Sequence, residues 1–160
     1  MSRLRMSLFS GAGAAAASII TIVLLAKAEG KPAVRPINAT SHVLWGPHHA
    51  AVDDIDGRHT IPGIAINAGA AFFWGAIFAG LLPAAGRIPA SQIFARAFAT
   101  SLAAAVIDYG LVPRRLRPGW ELALKTRSVV MALAALGAGL AAGGFGAQAA
   151  LPKNLAGEHL

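Results

Sequence analysis

Apolar and polar positions divide the chain into four long apolar stretches joined by two polar connections. The stretches lie at about 8–26, 61–82, 88–112 and 128–149. A bilayer core is ~30 Å thick and a helix rises ~1.5 Å per residue, so about 20 apolar residues cross it. All four reach that length. Ser10, Ser18 and Thr21 are the polar side chains of the first, and Asn67 is the single one of the second. The third carries Arg96 near one end and Asp108 near the other. Backbone amides find no water in lipid, so each stretch must be helical to satisfy its own hydrogen bonds. The pattern predicts an all-α integral membrane protein, a four-helix transmembrane bundle forming one domain over 1–160, with connections at about 27–60 and 113–127. Within the first connection, helical spacing puts Ile37, Ser41, Leu44 and Trp45 on one face, and Gly46-Pro47 would end that helix. This predicts a short interfacial helix lying among headgroups.

Composition agrees. Hydrophobic residues make up 56% and charged residues 13% of the chain, and the mean hydropathy is +0.59. A soluble domain carries roughly 25% charged residues, which excludes a disordered polar chain and speaks against a water-soluble globule. The absence of cysteine excludes disulfides, iron–sulfur clusters and thiolate chemistry. The net charge of +7 would suggest nucleic acid in a soluble protein; in a membrane protein it reflects topology and anionic lipid, so no nucleic-acid partner is expected. Lys27, Lys31, Arg35, Arg58, Arg114, Arg115, Arg117, Lys125 and Arg127 share one side, against Arg3, Arg5, Arg87 and Lys153, with Arg96 just inside the membrane. The positive-inside rule then places both connections in the cytoplasm and both termini outside. A rival reading of the first stretch is a cleaved secretory signal, with Arg3 and Arg5 before it and Ala26-Lys27-Ala28 at its end.

Small residues recur every four positions in each stretch, including Ala71, Gly75 and Ala79, and Ala135, Gly139 and Gly143. Close backbone approach drives helix association in lipid, so these faces predict tight packing within the bundle; a dimer seam along the fourth stretch is the alternative. Its many glycines also predict fraying after Gly143. Trp45 and Trp120 are expected as interfacial anchors.

Candidate chemistry is sparse. His42, His48, His49 and His59 lie in the first connection beside Asp53, Asp54 and Asp56, a donor set suited to zinc, iron or manganese if three or four converge. Against it stands a solvated connection with an Asp56-Gly57 turn and Thr60 capping the next span. No histidine falls within a span, so paired axial haem ligands are missing and no cofactor is expected beyond bound lipid. Asp108 is read as paired with Arg114 or Arg115, Arg96 as snorkelling outward, and Asn67 as bonding across to another helix. Arg114, Arg115 and Arg117 form a basic turn suited to anionic headgroups or a docking partner.

Two stretches carry a resemblance. Asn38-Ala39-Thr40-Ser41-His42 leading to Leu44-Trp45-Gly46, and Asp108-Tyr109 leading to Val112-Pro113, Arg115-Leu116, Pro118-Gly119 and Glu121, resemble a group of uncharacterised small four-span bacterial inner-membrane proteins. Members tend to carry histidine near the position of Asn67, where this chain departs. The resemblance implies a bacterial inner-membrane location and no known activity. No Ser–His–carboxylate set can be drawn at one site, which points away from an enzyme. The leading expectation is a non-catalytic structural or accessory subunit that packs against a larger membrane assembly or itself. The alternatives are a small transporter or proton-coupled permease using Asp108, with Arg96 and Asn67 along its path, and a metal-dependent membrane enzyme built on the histidines.

Overall fold

The computed structural model describes residues 2–83 and 86–150. Its helices are α1 (Arg3–Ala28), α2 (Arg35–Thr40), α3 (His42–Trp45), α4 (Thr60–Leu81), α5 (Ala90–Val106), α6 (Trp120–Ala123) and α7 (Thr126–Ala149). Short 3-10 turns occupy Pro47–His49 and Arg114–Leu116, and a π-helical turn, Ile107–Leu111, extends α5. No strand occurs among the described residues. Four helices are long and apolar enough to cross a bilayer: α1, α4, α7, and α5 together with its π turn. Lys153 lies outside the described residues.

α1 packs along both α4 and α7, and it does so backbone to backbone. A methyl group added to Gly75 would lie 2.7 Å from the Gly11 nitrogen; on Gly139 it would lie 2.7 Å from the Ala14 Cα. On Gly143 it would lie 2.5 Å from the Ser10 Cα. The small-residue faces of α4 and α7 are therefore filled by α1. The α7 seam through Gly139 and Gly143, weighed as a dimer contact, is internal to one chain. This packing also corrects the expected fraying, because α7 stays helical through Ala149. Gly144 rests on Phe78 and Ile93, whose fully buried side chains belong to the mid-bundle core with Met6, Trp74 and Leu140.

The two ends of the bundle differ. At the end holding residue 3, arginines reach the last carbonyls of neighbouring helices. The Arg3 Nη1 donates to the Gly80 carbonyl (3.5 Å), Arg5 Nη1 to Ala150 (3.1 Å), and Arg96 to Leu81. Cations at helix C-termini complement the macrodipole and the orphan carbonyls together. Gln148 joins them, accepting the Ile88 N–H (2.7 Å) and donating to the Ile88 carbonyl (3.3 Å).

At the opposite end the two long connections fold over the helices. The expected interfacial helix is two helices, α2 and α3, bent at Ser41, and α2 is buried from Pro36 to Thr40. Only Leu44 and Trp45 of the expected apolar face are exposed, while Ile37 and Ser41 turn inward. The physical reason is polar as well as apolar: Asn38 and Thr40 need partners, and α4 and the polypeptide around residues 52–54 supply them. A methyl on Gly63 would meet the Ile37 carbon of the carbonyl at 2.9 Å, so α2 lies directly on α4.

Candidate functional site

The connection end holds a buried polar network centred on Asn67. Its Nδ2 donates to the Thr40 Oγ1 (2.9 Å) and to the Gly63 carbonyl (2.8 Å), and its Oδ1 accepts the Trp120 Nε1–H (2.9 Å). One α4 amide thus ties α2 to α6. Trp120, expected at the membrane surface, is 5% exposed and packs with Ile22, Ile37, Leu124 and Val129 in a second apolar cluster. The indole has one donor and no acceptor, so the Asn67 carbonyl oxygen gives it the single partner it needs inside the protein. Trp45 remains half-exposed, donating to the Arg58 carbonyl (3.0 Å) beneath the Arg58 guanidinium, which lies 5.1 Å from its ring.

A second buried amide, Asn38, is fully enclosed. Its Nδ2 donates to the Val52 (3.0 Å) and Asp54 (2.9 Å) carbonyls, and its Oδ1 accepts from the Thr60 Oγ1 (2.8 Å). Thr60 is therefore not the N-cap expected for α4; it lies within the helix and stitches the connection to it. The cap residue is His59, whose N–H is accepted by the Asp56 carboxylate.

The four candidate metal ligands separate. His42, buried in α3, donates from Nδ1 to the Ala39 carbonyl (2.8 Å) and sets Nε2 3.4 Å from the Arg114 carbonyl. His48 is exposed. Only His49 and His59 meet, Nδ1 to Nε2 at 3.0 Å, while the His59 Nδ1 donates to Asp56 (2.7 Å). Both nitrogens of His59 are thereby occupied by protein partners. Among the described residues no group of three His or carboxylate side chains is placed to hold a metal.

Glu29, not singled out from the sequence, and Gly119 also fasten this end. Glu29 ends α1 and accepts the Ser128 hydroxyl (2.6 Å), the Lys125 N–H (3.1 Å) and the Lys31 ammonium (3.0 Å). It caps α7 across the chain, because Lys125 precedes that helix with no side-chain cap of its own. The Ser128 hydrogen bond, then Lys31 and Lys125, hold the Glu29 carboxyl down at about 2 despite an opposing effect of burial. Gly119, at φ +84°, fits where a methyl group would lie 2.8 Å from the Ala39 carbonyl oxygen and from the His42 Nδ1. Residues 38–46 and 108–121 thus close on each other at this end.

Asp108 behaves otherwise. It forms no ion pair among the described residues, which overturns the expected pairing with Arg114 or Arg115. The π turn carries it toward α4, beside the Trp74 indole, and into a cavity of about 90 Å³. Asn67 lines that cavity too, with Ser18, Thr40, Arg117 and Trp120. Arg117 donates from Nε to the Val112 carbonyl (3.4 Å), and Arg115 reaches the Leu44 carbonyl (3.5 Å). Arg114 and Arg115 are exposed. Arg96, the third intramembrane candidate, lies at the far end on Leu81.

No protein-family model, curated protein or solved structure matches the chain. The functional reading rests on the geometry above.

Proposed function

We propose that the chain is a non-catalytic multi-pass protein of a bacterial cytoplasmic membrane, an accessory subunit that packs against a larger membrane assembly or a second copy of itself. The observation that carries this reading is the outward face of α4. Ala65, Gly69, Ala76 and Gly80 are exposed along it at helical spacing, and nothing lies within 4 Å of where a side chain on Gly69 or Gly80 would begin. Inside the bundle the same kind of lane, Gly11 against Gly75 and Gly13 against Gly139, receives a neighbouring backbone. Small-residue faces unite helices in lipid through close approach, and on this one Gly69 and Gly80 leave room for a neighbouring backbone on either side of the exposed Phe73.

Two features support the non-catalytic part. Asn38, Asn67, His42 and Trp120 are engaged with one another or with backbone groups, as structural side chains are. The three residues of the permease reading are also divided between the two ends, Arg96 apart from Asp108 and Asn67. The charge balance supports placing both connections in the cytoplasm. The chain has no native cysteine, so Gly69→Cys and Gly80→Cys give a clean test. Oxidation in native membranes should produce a discrete cross-linked dimer or a stoichiometric partner. A chain that stays monomeric in membranes and in mild detergent, without adducts at either position, overturns the reading.

A further inference from the structure

The cavity at the π turn has an unusual division of labour along its wall. Most of its polar lining is already engaged. Ser18 donates to the Ala14 carbonyl (2.8 Å), Thr40 accepts from Asn67 (2.9 Å), and Asn67 uses both ends of its amide. Ile66, Ala70, Leu133 and Leu136 make the rest of the wall apolar. Two charged side chains there lack an ionic partner among the described residues: Asp108 has only the Trp74 indole beside it, and Arg117 only the Val112 carbonyl. They line the same space without pairing, since no contact within 4 Å joins them. A carboxylate and a guanidinium that line one largely apolar pocket without pairing call for a bound group that carries both opposite charges. Uncompensated charge in such surroundings is costly, and a ligand that supplies the counter-charges removes that cost.

Size narrows the class. A cavity of ~150 Å³ accepts a benzene ring, so one of about 90 Å³ takes a small head and not a whole amphiphile. A primary ammonium on a two-carbon arm fits such a space, with the attached phosphate left at the side of Arg117. Arginine recognises phosphate through several directed N–H groups. Trp120 in the cavity wall adds an aromatic surface on which ammonium groups are stabilised. The π turn is what sets Asp108 there, and such turns inside helices recur at functional sites.

We infer that this cavity binds a phosphoethanolammonium head, its ammonium at Asp108 and its phosphate at Arg117. The chemistry is shared by an aminophospholipid headgroup and by free O-phosphoethanolamine. The site goes beyond the accessory-subunit reading and does not depend on it.

The test uses the full chain in nanodiscs of phosphatidylcholine doped with phosphatidylethanolamine or phosphatidylglycerol. Lipid retained on release is read by native mass spectrometry, with tryptophan fluorescence as a second readout. Phosphatidylethanolamine should be retained at least tenfold over both others, because trimethylation enlarges the head and glycerol lacks the ammonium. Asp108→Asn should reduce retention to the phosphatidylcholine level, and so should Ala70→Leu, which fills the wall and leaves Asp108 in place. Displacement by soluble O-phosphoethanolamine identifies the free head as a sufficient ligand; retention that it cannot displace identifies the lipid. Equal retention of the three lipids by the wild-type chain overturns the site, whatever the variants do. Unchanged retention in a folded Asp108→Asn chain overturns it as well. Either failure leaves the cross-linking result at Gly69 and Gly80 untouched.

Discussion

The two ends of the bundle solve one problem by different means. Every helix end leaves backbone groups without partners, and in an apolar surround those groups must be met. At the end holding residue 3, long side chains do it singly: Arg3, Arg5, Arg96 and Gln148 each reach a neighbour's backbone. At the other end the polypeptide itself folds over, and short side chains such as Asn38, Asn67 and Glu29 each bond two or more groups. A long exposed arginine can swing to water and be replaced by it. A buried amide shared between three elements cannot, so the connection end should be cooperative and the other end tolerant of change.

The largest effect should come from Asn67→Leu. It orphans the buried Trp120 N–H and removes the donor to Thr40, a loss of about 3 kcal/mol in total for two buried polar groups. Trp120 fluorescence and amide exchange over α2 and α6 should report the loosening, with the mid-bundle core unchanged. If the variant is as stable as wild type, the network is ornamental and the contrast between the ends fails.

Acid should come next, and it should act at one end only. The described carboxylates, Glu29, Asp53, Asp54, Asp56, Asp108 and Glu121, all lie toward the connection end. Glu29 is held at about 2 against an ordinary 4.5, so its contribution is complete above pH 4.5 and fades as pH falls toward 2. Asp53 beside the Arg35 guanidinium, and Asp56 hydrogen-bonded by His59, are shifted in the same direction, so their contributions too are lost on acidification below the ordinary carboxylate range. Hydrogen exchange at the start of α7 should rise across that window, while the C-terminal turn of α4 and the start of α5 stay as they were. Glu29→Gln should remove most of the α7 response.

The smallest effect belongs to Arg96→Met. It leaves the Leu81 carbonyl to solvent and to its neighbours, and the helix-terminus contribution lost is below about 1 kcal/mol. A thermal midpoint in detergent close to wild type is the expected result, and a collapse comparable to that of Asn67→Leu would erase the distinction.

Much of this contrast was legible in the chain, and some was not. Apolar length alone predicts the four spans, and α4 and α7 begin and end within two residues of the expected limits. Small residues at fourfold spacing predict tight packing, and α1 against α4 and α7 displays it. Trp120 was misplaced because a tryptophan near a span end reads as a surface anchor. The corrective signal was present, since a lone Asn in a span needs a donor for its oxygen and an indole supplies one. Glu29 and the arginine caps were hidden for another reason: their partners are 77 to 145 residues away or are backbone groups, which sequence spacing does not reveal. Asp108 escaped its expected arginines because the π turn rotates it, and a π turn has no reliable residue signature.

The reach of Trp120 back to Asn67 has a consequence for biosynthesis. Asn67 lies in the second long apolar helix to leave the ribosome, and its indole partner follows 53 residues later. Until that segment is made, a nascent chain carries a half-met amide within its apolar helix. Closure of this end therefore waits until Trp120 has been made, and a translation product truncated before it would offer quality-control factors an unfinished helix to recognise.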